Sequence, residues 1–227
     1  MSSGGLAAAI TTRVEENEDK TIAAEAKKGY GLLVVGREPA SEGADFHQQI
    51  AHSAAEFAGP FAITIARGVE RKKGGNARLN ILALVDGTAT ARRGAEVAVV
   101  LAQASRARVT VLHFETGQPT PSSWQRQFGA AVAPMSGEDA VIREIVRLGE
   151  PYGVDVKRAA RRIGTSEEAI FQQIKRGEHN LVVMGVSPRP GDRMFFGAVA
   201  ATLLEHAECS LLFVADEHFV PPTETES

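Results

Sequence analysis

Two short apolar runs, Leu-Val-Val-Met at 181–184 and Leu-Leu-Phe-Val at 211–214, enclose a Gly/Pro loop and a helix-forming segment. This arrangement narrows the possible folds more than any other stretch of the chain. Continuous apolar runs of that length read as strands buried on both faces. The first stops at Gly185, and the second gives way to Ala215 and Asp216. Between them, residues 198–207 follow Gly197 and place Val199, Thr202, Leu203 and His206 at three- and four-residue spacing, the pattern of an amphipathic helix. Strand, loop, helix and returning strand make a right-handed parallel βαβ crossover. Its loop falls at the carboxyl ends of the strands, where open α/β sheets bind ligands.

The same order occurs earlier in the chain. Residues 31–36 read as a buried strand, 44–57 as a helix and 61–66 as a strand. Val35-Gly36 to Gly59-Pro60 aligns without a gap on Met184-Gly185 to Glu208-Cys209, Lys27-Lys28-Gly29 matches Lys175-Arg176-Gly177, and Pro39 falls opposite Pro188. The chain therefore reads as an internal repeat with unequal halves. The second copy has a long upstream part: a strand at 80–85, an Ala/Val-rich helix at 91–104 and a strand at 108–114 ending near His113. After a Pro/Ser/Gln-rich loop at 117–134 that holds Trp124, a helix follows at 138–152, then a third strand at 154–160 and a helix capped by Thr165 or Ser166. The first copy has only a strand at 6–14 and a helix at 17–28 ahead of its buried strand.

The residues around the second βαβ unit resemble the last third of a universal stress protein domain. Val183-Met184-Gly185, the glycines at 191 and 197, and the following Ala-Val-Ala, Leu-Leu-Glu-His-Ala and Cys carry the resemblance. Val85-Asp86-Gly87-Thr88 resembles that family's V-D-x-[ST] turn. The resemblance implies an α/β fold, an open parallel sheet flanked by helices with Rossmann-type strand order 3-2-1-4-5. It implies one complete copy at 79–216 preceded by a partial copy at 1–68, with a basic linker at 69–78 and an acidic tail at 217–227. It also implies an adenine nucleotide site, for ATP or AMP, at Asp86, Thr88, His113, Gly185, Arg189, Gly191, Arg193, Gly197 and Ala198.

Several residues depart from the nucleotide-binding pattern G-x2-G-x9-G-[ST]. Pro188 stands at the second glycine and removes an N–H donor, Ala198 replaces the hydroxyl residue, and the loop is one residue shorter. Arg189 and Arg193 are placed to supply guanidinium contacts instead. Equally, the glycines and prolines turn the chain, and Asp86 and Thr88 cap the next helix. In the first copy, Glu38, Glu42 and Asp45 are acidic where a phosphate would sit.

The phrase from His179-Asn180-Leu181 through Pro190-Gly191-Asp192 to Phe195-Phe196-Gly197 is similar to stress domains at the cytoplasmic end of bacterial cation/proton antiporters. That similarity implies a non-catalytic regulatory module, covalently attached to an upstream transmembrane part and located at the cytoplasmic face of the membrane. The alternatives are a free-standing ATP-binding stress protein and a ligand-free dimerisation scaffold. A net charge of −3 gives no general attraction to nucleic acid, a single cysteine forms no internal disulfide, and the six histidines lie at no metal-site spacing. Neither an enzyme, a required cofactor nor a metal is expected. Stress domains commonly pair through the strand that ends the fold, here near 210–214, whose counterpart is 61–66. The two should pair within the chain, while the incomplete first copy leaves an edge that favours a homodimer.

Overall fold

The structure is a computed structural model. It describes residues 33–37, 60–67, 78–114, 137–159, 166–187 and 196–215. The strands are β1 (Leu33–Arg37), β2 (Phe61–Ile65), β3 (Asn80–Val85), β4 (Arg108–His113), β5 (Val156–Arg158), β6 (Leu181–Val186) and β7 (Ser210–Ala215). The helices are α1 (Ala89–Ser105), α2 (Gly137–Gly149), α3 (Ser166–Gly177) and α4 (Ala198–His206), with a 3-10 turn at Glu150–Tyr152. The expected elements at 6–14, 17–28 and 44–57, nearly all of the linker, the loop at 117–134 with Trp124, and the tail at 217–227 lie outside the described residues.

All seven strands form one sheet in the order β1-β2-β7-β6-β3-β4-β5. Numbered from β3, the last five strands have the order 3-2-1-4-5, and every pair is parallel except β2–β7. The topology is thus an open, mostly parallel α/β sheet flanked by helices. One face packs against α1 and α2, where Ile81, Ala83, Val85, Val109, Val111 and Val183 meet Ala91, Ala95 and Ala98. The other packs against α3 and α4 through Leu82, Leu84, Val182, Ile170 and Leu203. Each fully buried Leu, Ile or Val contributes about 1.5–3 kcal/mol, so β3 and β6, buried on both faces, anchor the fold. The small stripe Ala91, Gly94, Ala95, Ala98 and Ala102 lets α1 settle close on the sheet.

Several sequence expectations are corrected. β6 continues through Gly185 to Val186, because Gly185 and Val186 still have ladder partners in Val214 and Ala215. The third strand is only three residues long. Pro151 ends α2 as a 3-10 turn, since a proline there removes the next helical N–H. The face of α4 is also different: Ala200, Leu203 and Ala207 are buried, while His206 is exposed. An apolar residue set on both sides of α4 hid the true face, and the small alanines mark the closest approach to the sheet.

The gap-free alignment of the two βαβ stretches does not hold in the ladders. It matches Phe61 to Ser210, yet Val35 lies opposite Ile63 while Met184 lies opposite Phe213. The first stretch is therefore one residue shorter between its strands. Because side chains alternate along a strand, this places Phe61, Ile63 and Ile65 on the same face as Leu211, Phe213 and Ala215, all in the α3/α4 core. The antiparallel β2–β7 seam expected from the sequence is present, with Phe61 opposite Ala215 and Ile63 opposite Phe213. Phe196 lies between their rings, 6.4 Å from Phe61 and 5.8 Å from Phe213 by centroid. Arg67, just past β2, donates from its backbone N–H to Ser210 Oγ at 3.2 Å and from its guanidinium to the Leu204 carbonyl near the end of α4.

At the amino-terminal ends of β3 and β6, two asparagines tie the strands together. Asn80 N–H donates to Asn180 Oδ1 at 2.8 Å, Asn80 Nδ2 to the Gly177 carbonyl at 2.6 Å, and Asn180 Nδ2 to the Arg78 carbonyl at 3.0 Å. His179 is buried beside this knot, its Nδ1 without a hydrogen-bond partner among the described residues and its Nε2 3.3 Å from Gln173 Nε2. Burial lowers its pKa from the usual histidine value, the Asn80 backbone opposes the shift, and Arg108 adds to it. The folded protein therefore binds this proton less readily than the unfolded chain does. Stability is full above the unfolded value of about 6.5 and is lost as pH falls below it. Urea unfolding from about pH 7 down to about pH 5.5 is expected to show this loss, and His179→Gln should flatten that part of the profile. Parallel profiles for the two proteins would contradict the assignment.

Candidate functional site

The strand order reverses at β3 and β6. β3 leads to β4 on one side, and the chain later returns to β6 on the other, which opens a crevice at their carboxyl ends. Asp86 follows β3, and its Oδ1 accepts from Thr88 N–H at 3.0 Å and from Thr88 Oγ1 at 2.7 Å. Thr88 Oγ1 in turn accepts from Ala91 N–H at 3.1 Å, so Thr88 is the N-cap of α1. Gly87 takes φ +85° between them, a conformation that L side chains rarely adopt. Both sequence readings of this turn are therefore compatible. The cap is made, and a carboxylate with about four acceptor positions keeps capacity beyond its two bonds.

Across the crevice, Ser187 Oγ lies 3.2 Å from Thr90 Oγ1 and links the end of β6 to the first turn of α1. Gly197 has φ +86° and precedes α4 as an N-cap with no side chain, so the cap residue itself offers no acceptor to the first N–H groups of that helix. An uncapped helix N-terminus favours an anion through these N–H groups and the helix dipole. Ala198 is exposed at this point and Phe196 is buried behind it. His113 ends β4 opposite Val85, where the next N–H, of Phe114, donates to the Val85 carbonyl at 2.9 Å.

The topology thus brings Asp86, Thr88, His113, Gly185, Gly197 and Ala198 to the same end of the sheet. Arg189, Gly191 and Arg193, with Pro188, lie outside the described residues. Gly185 has a packing duty that spacing did not reveal. A Cβ there would overlap the Thr90 carbonyl and come within 2.7 Å of Ala91 Cα.

Two features of this end were not anticipated. The Thr90–Ser187 contact depends on β3 and β6 being neighbours, which no local pattern encodes. A recess of about 200 Å³ also opens between α1 and α2, bounded by Val85, Gly87, Thr88, Val141 and Ile145, with Arg92 and Glu144 paired at 2.9 Å beside it. Among the described residues there is no cluster of three or more His, Cys, Asp or Glu able to hold a metal ion. Nor is any helix among them long and apolar enough to cross a membrane.

A doubly wound α/β domain with a ligand crevice at its switch point is the class these features define. The model of the universal stress protein family matches residues 78–215, more than half of the sequence, and the chain belongs to that family. A universal stress protein from Archaeoglobus fulgidus DSM 4304 is similar in fold at a TM-score of 0.58 and 13% identity, covering 86% of this chain and 65% of that one. A family protein from Burkholderia pseudomallei is 23% identical at a TM-score of 0.44, covering 62% and 97%. One from Arabidopsis thaliana, solved with AMP bound, is 18% identical at 0.43, covering 66% and 97%. Among curated proteins, nothing matches the chain.

Proposed function

We propose that the chain is a non-catalytic regulatory module that takes an adenine nucleotide into the crevice between β3 and β6. The observation that carries this reading is the pairing, at one end of the sheet, of the Asp86–Thr88 turn with the side-chain-uncapped start of α4. The first offers a carboxylate to the N–H or O–H groups of a nucleoside. The second offers backbone N–H groups and a positive dipole end to its phosphates. Isothermal titration and thermal unfolding with ATP and with AMP test it. At ligand about 100-fold above its dissociation constant, stabilisation should be roughly 2.7 kcal/mol. No heat and no shift at millimolar concentrations would favour a ligand-free scaffold.

The module is further read as a tandem, with β1 and β2 as the end of a partial copy that docks on the complete one. Two features support this. Ile63 and Phe213, equivalent in the two copies by the ladder registers, are also direct partners across the antiparallel seam, as a local twofold requires. Val34, 56% exposed, also lies on the face that α1 covers over β3 and β6. Copies associate through this incomplete half, and light scattering that gives a monomer at high concentration would contradict it. By the resemblance of residues 179–197, the module belongs to the cytoplasmic side of a cation/proton antiporter. Detection of the native polypeptide only as a 24.1 kDa species outside the membrane fraction would overturn that assignment.

A further inference from the structure

The crevice occupies one end of the sheet. The opposite end, where β3, β4 and β6 begin, gathers Arg78, Arg106, Arg108, Lys175 and Arg176. Arg108 opens β4 directly opposite Asn80, and Arg106 caps the end of α1 two residues earlier. Asn80 Nδ2 donates to the carbonyls of Gly177 and Glu178, which brings the last turn of α3, with Lys175 and Arg176, to the start of β3. Asn180 Nδ2 fixes the Arg78 carbonyl beside them. All five cationic residues are exposed, and none forms an ion pair with another described residue. Glu178 lies among them, Asp155 stands level with Arg108 just before β5 and Glu150 opens the nearby 3-10 turn, while Glu205 and Glu208 stand at the end of α4 on the far side of β6.

Arg106 is placed at a helix end. It adopts φ 52°, ψ 39°, the left-handed C-cap position that glycine occupies at least cost. An arginine there gives up backbone preference for a charge that pairs with no other described residue, and Glu178, with φ 51°, takes the same conformation just past α3.

We propose that this end of the sheet is a docking surface for an anionic lipid bilayer. The exposed carbonyl ends of α1 and α3 lie among the arginines, and their negative dipole ends disfavour a phosphate held in close contact. A bilayer's surface potential needs no such contact, because it attracts each cation within a Debye length. The chain's net charge of −3 gives no general attraction, so binding must be oriented through this end. Tyr152, 43% exposed, sits on the 3-10 turn at the same end and suits the membrane–water boundary. The docked orientation would leave the nucleotide crevice facing away from the membrane, although the proposal does not depend on nucleotide binding.

Flotation of the ligand-free protein with phosphatidylglycerol/phosphatidylcholine vesicles, against phosphatidylcholine alone, is the test. Binding to the anionic vesicles at low salt, with release at high salt, is expected. Arg106→Gly should weaken binding about fivefold, the equivalent of about 1 kcal/mol for one cation near the surface. It should also hold or raise the denaturant midpoint, since glycine relieves the left-handed cap. R106Q/R108Q/K175Q/R176Q should abolish flotation. Equal flotation with both vesicle types, unchanged binding by these variants, or binding to an oligonucleotide but not to vesicles would each overturn the proposal.

Discussion

Gly185→Val is expected to destabilise the protein by about 3 kcal/mol, lowering the thermal midpoint by roughly 10 °C. The reason lies in the α1–β6 contact. A Cβ on Gly185 meets the backbone of Thr90 and Ala91, and one on Gly94 meets the backbone of Met184 and Gly185. Backbone cannot change rotamer to make room, so the helix must lift off the strand and open the core formed by Ala91, Ala95 and Val183. Gly36 is the counterpart of Gly185 in the first stretch, yet among the described residues the nearest atom to a Cβ there is Thr64 Cγ2 at 3.9 Å. Gly36→Val should therefore change stability by no more than about 0.5 kcal/mol. Equal losses in both variants, measured by urea unfolding, would show that the glycines are not distinguished by the helix above them. Saturating nucleotide should not erase the difference, because the cost arises from packing.

That contrast shows where sequence reading reaches and where it stops. β3, β6 and β7 were legible because a strand buried on both faces must be apolar throughout, whereas the strand order was implied by the resemblance to the universal stress protein family. The Asp86–Thr88 turn was legible as a local motif, since its hydrogen bonds span only two or three residues. The duty of Gly185 was not. A glycine after an apolar run looks the same whether it admits a ligand or a helix, and the choice depends on Thr90, nearly a hundred residues away. The register of β2 escaped for a related reason. Motif matching weighs residue identity, whereas the ladder sorts residues by face, and Phe61-Ile63-Ile65 follows the period-two pattern of Leu211-Phe213-Ala215. In α4, three- and four-residue spacing gave Val199, Thr202 and His206 too much weight against the alanines that pack closest.

Phe61→Ala is expected to cost about 3–5 kcal/mol, although Phe61 lies outside the residues the family model matches. Its ring is 2% exposed and sits in the same cluster as Phe196, Leu211 and Phe213, so truncation leaves a cavity inside the α3/α4 core rather than at a surface seam. A double-mutant cycle with Phe213→Ala should show coupling of about 0.5–1.5 kcal/mol, carried through Phe196 between the two rings. Hydrogen exchange should locate the damage in both halves, with amides of β6 and β7 losing protection together with those of β2. Loss confined to β1 and β2 would instead mark the first stretch as an appended ribbon. The consequence for binding follows from chain order. Phe196 immediately precedes Gly197, and its ring fixes the point at which α4 begins. Loosening that ring should disorder the uncapped N–H groups proposed to receive phosphate. Phe61→Ala should therefore weaken nucleotide binding about tenfold, a coupling of roughly 1.4 kcal/mol, without touching the ligand.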